Sequence, residues 1–259
     1  MTSWSHYREG RKVVTSNLSA RTTSTVVGFF TKNTIFSNHF ACDMVYDNKL
    51  FRSAEHLYYY LRAVEFSDLS TTEAFRQAAN AKIVKELSKE HPLRRFNQVI
   101  WHRVRIYKIA IALVTKFSQN SGLRQSLCHT NPHLLVEMSK YDDFWGCGRD
   151  VDEIIFDGQI GRGHNVLGKL LTQLREMFLD PDLEEDMIGS CRAHALKTDR
   201  EWYGIRLVQR TFPGEQLKNI INGIDTPPIV PGVHQTKHVN SQSGPIIRAG
   251  VTPLLSRDR

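Results

Sequence analysis

The chain has 259 residues, of which 41% are hydrophobic and 10% aromatic, so it can bury the core of one good-sized domain with extensions. No apolar run approaches the roughly 20 residues that cross a bilayer, and the four cysteines form no C-x-x-C pair. These features argue against a membrane protein, a zinc site and a disulfide scaffold. The formal net charge of +7 favours a phosphate-bearing partner, either a nucleotide or a nucleic acid.

The N-terminal segment is rich in arginine and serine, and Glu9 is the only acidic residue in its first 27 positions. It lacks the apolar stretch of a secretion signal. We therefore interpret residues 1–25 as a basic, flexible arm rather than a targeting peptide. This composition favours a cytoplasmic protein, with the nucleus as an alternative and the mitochondrion disfavoured.

Two β segments are predicted next. Residues 25–36 are β-branched and aromatic, which predicts a strand or a strand pair. Residues 42–53 predict a hairpin, because two short apolar runs flank Asp47 and Asn48, which tolerate turn geometry.

Helical periodicity begins after this hairpin. Ser53 is predicted to cap a helix from Ala54 to about Phe66, which places Glu55 in the first turn. The positive end of the helix dipole favours ionisation of that carboxyl group, whereas burial would oppose it. Further helices are predicted from Thr71 to before Pro92, from about Phe96 to Phe117, from about Gly122 to Leu127, and after a cap at Asn165.

The helix predicted over residues 96–117 has an apolar stripe and, on another side, Trp101 in line with Arg105 and Lys108. A tryptophan followed by cations is typical of a solvated face with one partly buried ring. It also fits a base-stacking ring beside phosphate-binding charges.

Residues 180–259 are predicted to form a largely disordered tail, since an acidic break precedes a stretch rich in proline, serine, glycine and threonine. Within this tail, residues 201–212 fit an ordered strand or docking segment. The folded domain is therefore expected to span residues 26–179.

The stretch SKYDDFWGCGRD, residues 139–150, combines two aspartates, a tryptophan and two glycines. It follows a predicted buried strand at residues 134–139 and precedes another at residues 153–156. Its glycines let the backbone approach a ligand closely, and Asp142 or Asp143 could face a developing positive charge. Taken alone, the stretch also fits a surface turn with one buried tryptophan.

Residues 163–169 match the pattern G-x-x-x-x-G-K of a phosphate-binding loop. Leu170 stands where that motif needs serine or threonine to hold magnesium, which argues against a P-loop NTPase. The glycines and Asn165 at the start of the closing helix retain the features of an anion site at a helix N-terminus.

The ordered set of motifs resembles the NADAR family, which includes the riboflavin-intermediate N-glycosidases. The motifs that carry the resemblance are Phe36-Ser37-Asn38, Ser53-Ala54-Glu55-His56, Trp101, Lys116-Phe117-Ser118-Gln119-Asn120, Leu135-Val136-Glu137, Asp142-Asp143-Phe144-Trp145-Gly146-Cys147-Gly148 and Gly163-His164-Asn165-Val166-Leu167-Gly168. The resemblance covers about residues 26–179. It implies a compact, mostly helical α+β domain with a few short strands, no cofactor and no metal.

The resemblance further implies hydrolysis of the N-glycosidic bond of a small-molecule substrate. The substrate would be a ribosylamino-pyrimidine phosphate from early riboflavin synthesis or an ADP-ribosyl compound, including ADP-ribose on guanine bases of nucleic acid. The family's catalytic positions match Glu55, Trp101, Asp142 and Trp145. Glu55 is interpreted as the general acid/base or water-orienting group, and Asp142 as the carboxylate that stabilises charge at C1′. The predicted substrate-binding residues are Asn38, His56, Arg62, Arg105, Lys108, Gly146, Gly163 and Asn165.

Arg62 departs from the family pattern, which usually has lysine seven residues beyond the glutamate. An arginine cannot form a Schiff base but can bind phosphate or carboxylate. The departure favours direct attack by water over a mechanism that uses a lysine amine. It also leaves open a module that binds ADP-ribose, NAD or modified nucleic acid without cleaving it. Two acids in one pocket favour the enzyme, because a module that only binds anions gains nothing from them.

Overall fold

The computed structural model of the chain describes residues 13–14, 20–22, 26–149, 161–191 and 197–222. All of them lie in one unit, Met1–Pro228. The strand predicted at residues 153–156 and the tail beyond residue 222 lie outside the described residues. The described part is mostly helical with a few short strands, which confirms the predicted α+β class.

Four short strands form a mixed sheet in the order β1-β2-β3-β6, and two more form a hairpin. Their bounds are β1 Val13–Val14, β2 Ala20–Thr22, β3 Val26–Phe29, β4 Met44–Tyr46, β5 Lys49–Phe51 and β6 Leu134–Glu137. Strands β1, β2 and β3 are antiparallel neighbours, whereas β3 and β6 run parallel, with Phe29 opposite Glu137. Strands β1 and β2 lie within residues 1–25, the segment that was predicted to form a flexible arm.

The strand predicted over residues 25–36 ends at Phe29, and the residues after it form turns, in which Thr31 has a φ of 74°. Phe36 is nevertheless fully buried and packs edge-on against Phe29, with ring centroids 5.7 Å apart. Phe29 and Phe36 are therefore explained by burial in the core, which does not require an extended backbone, whereas Phe30 is exposed.

The predicted hairpin is confirmed as β4 and β5. Asp47 and Asn48 have φ angles of 51° and 54°, the conformation that a type I′ turn requires at both central positions. Met44 pairs with Phe51 across the strands, and both side chains are buried in the core.

The described residues contain nine helices. Their bounds are α1 Ala54–Glu65, α2 Leu69–Gln77, α3 Ala81–Glu90, α4 Gln98–Gln119, α5 Ser121–Cys128, α6 Val166–Leu179, α7 Pro181–Ser190, α8 Lys197–Thr211 and α9 Glu215–Asn222. Ser53 caps α1 as predicted, since its hydroxyl accepts from the His56 N–H at 3.1 Å. The single helix predicted from Thr71 to before Pro92 is instead two helices, because Asn80 accepts from two N–H groups in the first turn of α3 and starts a new helix.

Helix α4 is the centre of the core. All its residues from Ile109 to Ser118 are buried, and α1 and α8 pack against it. Its first half also carries exposed or half-buried cations such as Arg103 and Lys108. Among the described residues, no helix combines the length and apolar character that crossing a membrane requires.

The prediction of a largely disordered tail is wrong for α7, α8 and α9, and residues 201–212 lie mostly in a helix rather than a strand. Helix α8 buries Tyr203 and Leu207 in the core. A Cβ atom at Gly204 would lie 2.6 Å from Ile111 Cγ1, so α8 crosses α4 at a separation that suits glycine. Charged residues between the apolar positions of α8 obscured this burial in the sequence.

Candidate active site

A cleft of about 320 Å³ is formed by the loop after β3, by α1, α3, α4 and α6, and by the residues at and after the end of β6. The residues that line it are Ser37, Asn38, His39, Glu55, Tyr58, Tyr59, Arg62, Lys85, Trp101, Ile109, Glu137, Asp142, Trp145 and Leu167. The cleft therefore brings together all four residues that were predicted to be catalytic. Of the eight predicted substrate-binding residues, it includes Asn38 and Arg62.

Glu55 is held in the first turn of α1, where its N–H donates to the Asn38 carbonyl oxygen at 2.9 Å. Its carboxyl group lies 3.6 Å from His39 Nε2, and its side chain is only 13% exposed. Burial raises the pKa of Glu55 to about 7, with Lys85 acting against the shift and Asp142 adding to it. Of the two opposing effects that the sequence left open, loss of water therefore outweighs the helix dipole.

Glu137 is a third carboxyl group in the cleft, and sequence reasoning gave it no role. It ends β6, and its Oε2 atom is buried without a hydrogen-bond partner among the described residues. Burial, followed by the charges of Asp142 and Glu55, raises the pKa of Glu137 to about 8. The available signal was an acidic residue directly after the apolar residues of a buried strand, five positions before Asp142.

Asp142 organises the loop after β6. Its Oδ1 atom accepts from the N–H groups of Phe144 at 3.0 Å and Trp145 at 2.8 Å. These two hydrogen bonds hold the Asp142 carboxyl group against the backbone of the residue that carries the Trp145 indole. The neighbouring Asp143 is exposed and does not line the cleft, so the two aspartates of the motif have different surroundings.

Gly146 and Gly163 were predicted to contact substrate, but neither lines the cleft. A Cβ atom at Gly146 would lie 2.8 Å from the Asp142 carbonyl oxygen, and one at Gly163 would lie 2.6 Å from the Gly146 carbonyl oxygen. The two glycines therefore allow close backbone packing behind the cleft wall.

Tyr58, Trp101 and Trp145 form an aromatic wall beside the carboxyl groups. The ring of Tyr58 lies 5.3 Å from that of Trp101 and 6.0 Å from that of Trp145, measured between centroids. The wall suits a heteroaromatic base, which can stack on a ring face and bond to the polar edges of tyrosine and tryptophan.

Three cations, Arg62, Arg105 and Lys108, were predicted to bind substrate. Of these three, only Arg62 lines the cleft. Its guanidinium carbon lies 5.3 Å from the Trp101 ring centroid, and its buried Nε atom has no hydrogen-bond partner in the described part of the chain. Lys85 and His39, which sequence reasoning missed, also line the cleft. Burial lowers the pKa of His39, and Lys85 lowers it further.

Arg105 and Lys108 do not line the cleft. The guanidinium carbon of Arg105 lies 3.5 Å from the Phe144 ring centroid, so this cation supports the back of the Asp142 loop. Lys108 forms an ion pair with Glu65 at 2.7 Å. Both positions fall in line with Trp101 on the helix, but the neighbouring elements cover them.

His56 and Asn165 are likewise outside the cleft lining. His56 is buried, with its Nε2 atom 2.6 Å from the Phe75 carbonyl oxygen. Asn165 precedes α6 in a left-handed conformation without a side-chain cap, contrary to prediction. Its amide instead accepts from the Glu137 N–H and donates to the Leu135 carbonyl oxygen, both at 3.0 Å.

Lys116 anchors the loop that carries Asn38. Its buried Nζ atom donates to the carbonyl oxygens of Ile35 at 2.6 Å and Ser37 at 2.9 Å. Burial lowers the pKa of Lys116 to about 8. Within the part of the chain that the structure describes, the buried Oδ1 atom of Asn38 has no hydrogen-bond partner, which leaves an acceptor available at the cleft.

The two raised glutamate pKa values predict a pH-dependent stability difference. The ordinary pKa of 4.5 rises to about 7 for Glu55 and about 8 for Glu137. Between the ordinary and the raised pKa values, the folded protein holds protons that the unfolded chain has released, so the free energy of unfolding falls as the pH rises. The contribution of the two glutamates to stability is therefore fully present below pH 4.5 and is lost as the pH rises through about 7 for Glu55 and about 8 for Glu137. We expect the double variant Glu55→Gln/Glu137→Gln to gain several kcal/mol of stability relative to the natural protein as the pH rises across this window, since one pKa unit corresponds to about 1.4 kcal/mol.

Urea denaturation of both proteins at pH 5, 6.5 and 8 measures that difference. Comparison of the two proteins cancels the titration of histidines and of residues elsewhere in the chain. A stability difference that is constant across the three pH values would contradict the raised pKa values.

Comparisons with known proteins identify relatives of this chain. The family model of the NADAR domain matches residues 21–179. The N-glycosidase YbiA of Escherichia coli (strain K12) is 32% identical over 145 residues, which cover 55% of this chain and 80% of that protein. The riboflavin biosynthesis protein VVA0006 of Vibrio vulnificus is 29% identical over 140 residues, covering 54% and 34% respectively. The NMR structure of E. coli YbiA matches with a TM-score of 0.50 and 30% identity, over 62% of this chain and 88% of that one.

Proposed function

Because this chain belongs to the NADAR domain family, we propose that its cleft hydrolyses the N-glycosidic bond between a ribose and a nitrogen base. One observation carries the proposal: Glu55 and Asp142 share one cleft, so closely that the charge of Asp142 contributes to raising the pKa of Glu55. Trp101 and Trp145 line the same cleft. The N-glycosidase name of the E. coli relative supports the assignment.

Cleavage of the C1′–N bond builds positive charge on the ribose, which a fixed carboxylate stabilises. Asp142 meets this requirement, because two backbone N–H groups hold its position. Glu55, in its ionised form, takes a proton from the water that attacks C1′. The aromatic wall holds the base while the bond breaks.

The substrate class that we propose is a ribosyl phosphate, and in the first place a ribosylamino-pyrimidine phosphate. Arg62 and Lys85 are the arginine and the lysine of the described cleft lining, and both can bind a phosphate group. The name of the V. vulnificus relative supports a link to riboflavin biosynthesis. Because Arg62 stands at the position of the family lysine and cannot form a Schiff base there, we take direct attack by water as the mechanism.

Incubation of the purified protein with a panel of substrates, followed by mass spectrometry, tests this function. The panel contains ribosylamino-pyrimidine phosphates and ADP-ribosylated guanine oligonucleotides. We expect release of the free base from the first class, with ribose 5-phosphate as the second product. Binding without release of base from any substrate would instead identify a non-catalytic module for ADP-ribosyl or ribosyl ligands.

Lys85→Gln is expected to raise KM for a phosphorylated substrate by about tenfold, which is the loss of one charge-assisted contact of about 1.4 kcal/mol. The value of kcat/KM for the dephosphorylated substrate should change much less, because the lysine would have no anion to bind. Steady-state kinetics on the two substrates measures the contrast.

The matched control is Lys89→Gln, since Lys89 is exposed on the same helix and does not line the cleft. This variant should behave like the natural protein on both substrates. An equal loss on both substrates in Lys85→Gln would show that Lys85 acts on Glu55, whose pKa it lowers, rather than on phosphate.

A further inference from the structure

Glu137 occupies a rigid position at the floor of the cleft. Its N–H donates to the Asn165 side chain at 3.0 Å, and its carbonyl oxygen accepts from the Cys147 N–H at 2.9 Å. The residue ends β6, which is paired with β3 along its whole length. The backbone of Glu137 is therefore fixed by three separate segments of the fold.

The carboxyl group of Glu137 takes no part in these backbone hydrogen bonds. Its Oε2 atom is buried and has no hydrogen-bond partner among the residues that the structure describes, although the residue lines the cleft. A buried polar atom without a hydrogen-bond partner destabilises the folded state. A fold that retains such an atom beside two other carboxyl groups leaves it free to bond with a ligand.

The proposed reaction has a requirement that Glu55 and Asp142 leave unmet. The nitrogen of a ribosylamine is a poor leaving group as an anion, so it must receive a proton as the C1′–N bond breaks. Glu55 acts as the base toward water, and Asp142 stabilises the charge on the ribose. A second proton-transferring group is needed at the nitrogen.

We propose that Glu137 is a catalytic residue that donates the proton from its carboxyl group to the departing nitrogen; this inference rests on the proposed function. The electron pair of the C1′–N bond goes to the nitrogen, which takes the proton, and Glu137 becomes a carboxylate. Water adds to C1′ and gives a proton to Glu55. Proton exchange with solvent then restores both glutamates.

The electrostatics of the cleft support this order of roles. Burial raises the pKa of both glutamates, to about 8 for Glu137 and about 7 for Glu55. Lys85 favours the ionised form of Glu55, whereas burial and the charges of Asp142 and Glu55 favour the protonated form of Glu137, as the roles of base and proton donor require. The other titratable or charged groups that line the cleft are Asp142, Tyr58, Tyr59, His39, Arg62 and Lys85.

Glu137→Gln tests the inference, because it removes the acid and preserves the shape of the side chain. Two substrates are compared: a ribosylamino-pyrimidine phosphate, and 4-nitrophenyl ribofuranoside 5-phosphate, whose leaving group departs as a stabilised anion. We expect kcat to fall about 10²–10⁴-fold on the first substrate and by less than about tenfold on the second. An equal loss on both, or no loss on the first, would overturn the proposal.

The pH profile provides a second readout that a purely structural role would not change. In the natural protein kcat/KM for the amine substrate should fall above about pH 8, as Glu137 loses its proton. Glu137→Asp should retain this alkaline limb at reduced activity, whereas Glu137→Gln should lose it. An alkaline limb that persists unchanged in Glu137→Gln would assign the donor role to another group.

Two controls separate this inference from the proposed function. If the natural protein releases no base from any substrate, then the proposed function fails. If it is active and Glu137→Gln lacks the dependence on leaving group, only the role of Glu137 fails. Glu86→Gln, at an exposed position on α3 outside the cleft lining, is the matched variant and should leave activity unchanged.

Discussion

Glu55→Gln is expected to lower kcat about 10²–10⁴-fold on every substrate that the natural protein cleaves, because the amide cannot accept the proton of the attacking water. The loss should not depend on the leaving group, in contrast to Glu137→Gln. Substrate binding should be retained, since the aromatic wall and Arg62 are untouched. Single-turnover measurements together with equilibrium binding separate the two effects.

The same variant is expected to be more stable than the natural protein at pH 8, since it removes a carboxyl group whose ionisation is opposed by burial. Lost activity in a more stable protein therefore rules out unfolding as the cause. Glu86→Gln again provides the matched control. If Glu55→Gln kept full activity, the water-activating role would have to move to another carboxyl group of the cleft.

A chain that ends at residue 179 is expected to be insoluble or unfolded, although the match to the family model also ends there. The deleted part contains Tyr203, Leu207, Val208 and Phe212, each at most 2% exposed. Burial of four such side chains contributes roughly 6–12 kcal/mol, which is comparable to the whole stability of a typical domain, about 5–15 kcal/mol. Removal of α8 also uncovers α4 where Gly204 contacts Ile111.

A chain that ends at residue 228 is the control, because it keeps every described helix and the whole of the first unit. We expect the chain that ends at residue 228 to unfold cooperatively when followed by circular dichroism, with a Tm near that of the full chain. A stable, monomeric and active chain ending at residue 179 would show that α7, α8 and α9 contribute little to the core.

Local features of the fold were predictable from the sequence, because they depend on residues a few positions apart. Ser53 caps α1 through an N–H three residues away, and Asp47 and Asn48 adopt their turn through their own backbone preferences. The ordered motifs also located Glu55, Trp101, Asp142 and Trp145, which the structure places in one cleft.

The tertiary structure decided the properties that depend on distant parts of the chain. Glu137 and Lys85 reach the cleft only because β6 pairs with β3 and α3 lies beside α1. Arg105 and Lys108 share a helix face with Trp101 but are engaged by Phe144 and Glu65.

The sequence by itself thus determined which residue types and which local elements build the site at SKYDDFWGCGRD and at the start of α1. The tertiary structure decided which of those side chains meet, that α8 belongs to the core, and that Glu55 resists ionisation. The physical reason is that caps and turns arise within one segment, whereas burial, and with it a pKa, is the sum of contacts from segments far apart in the chain.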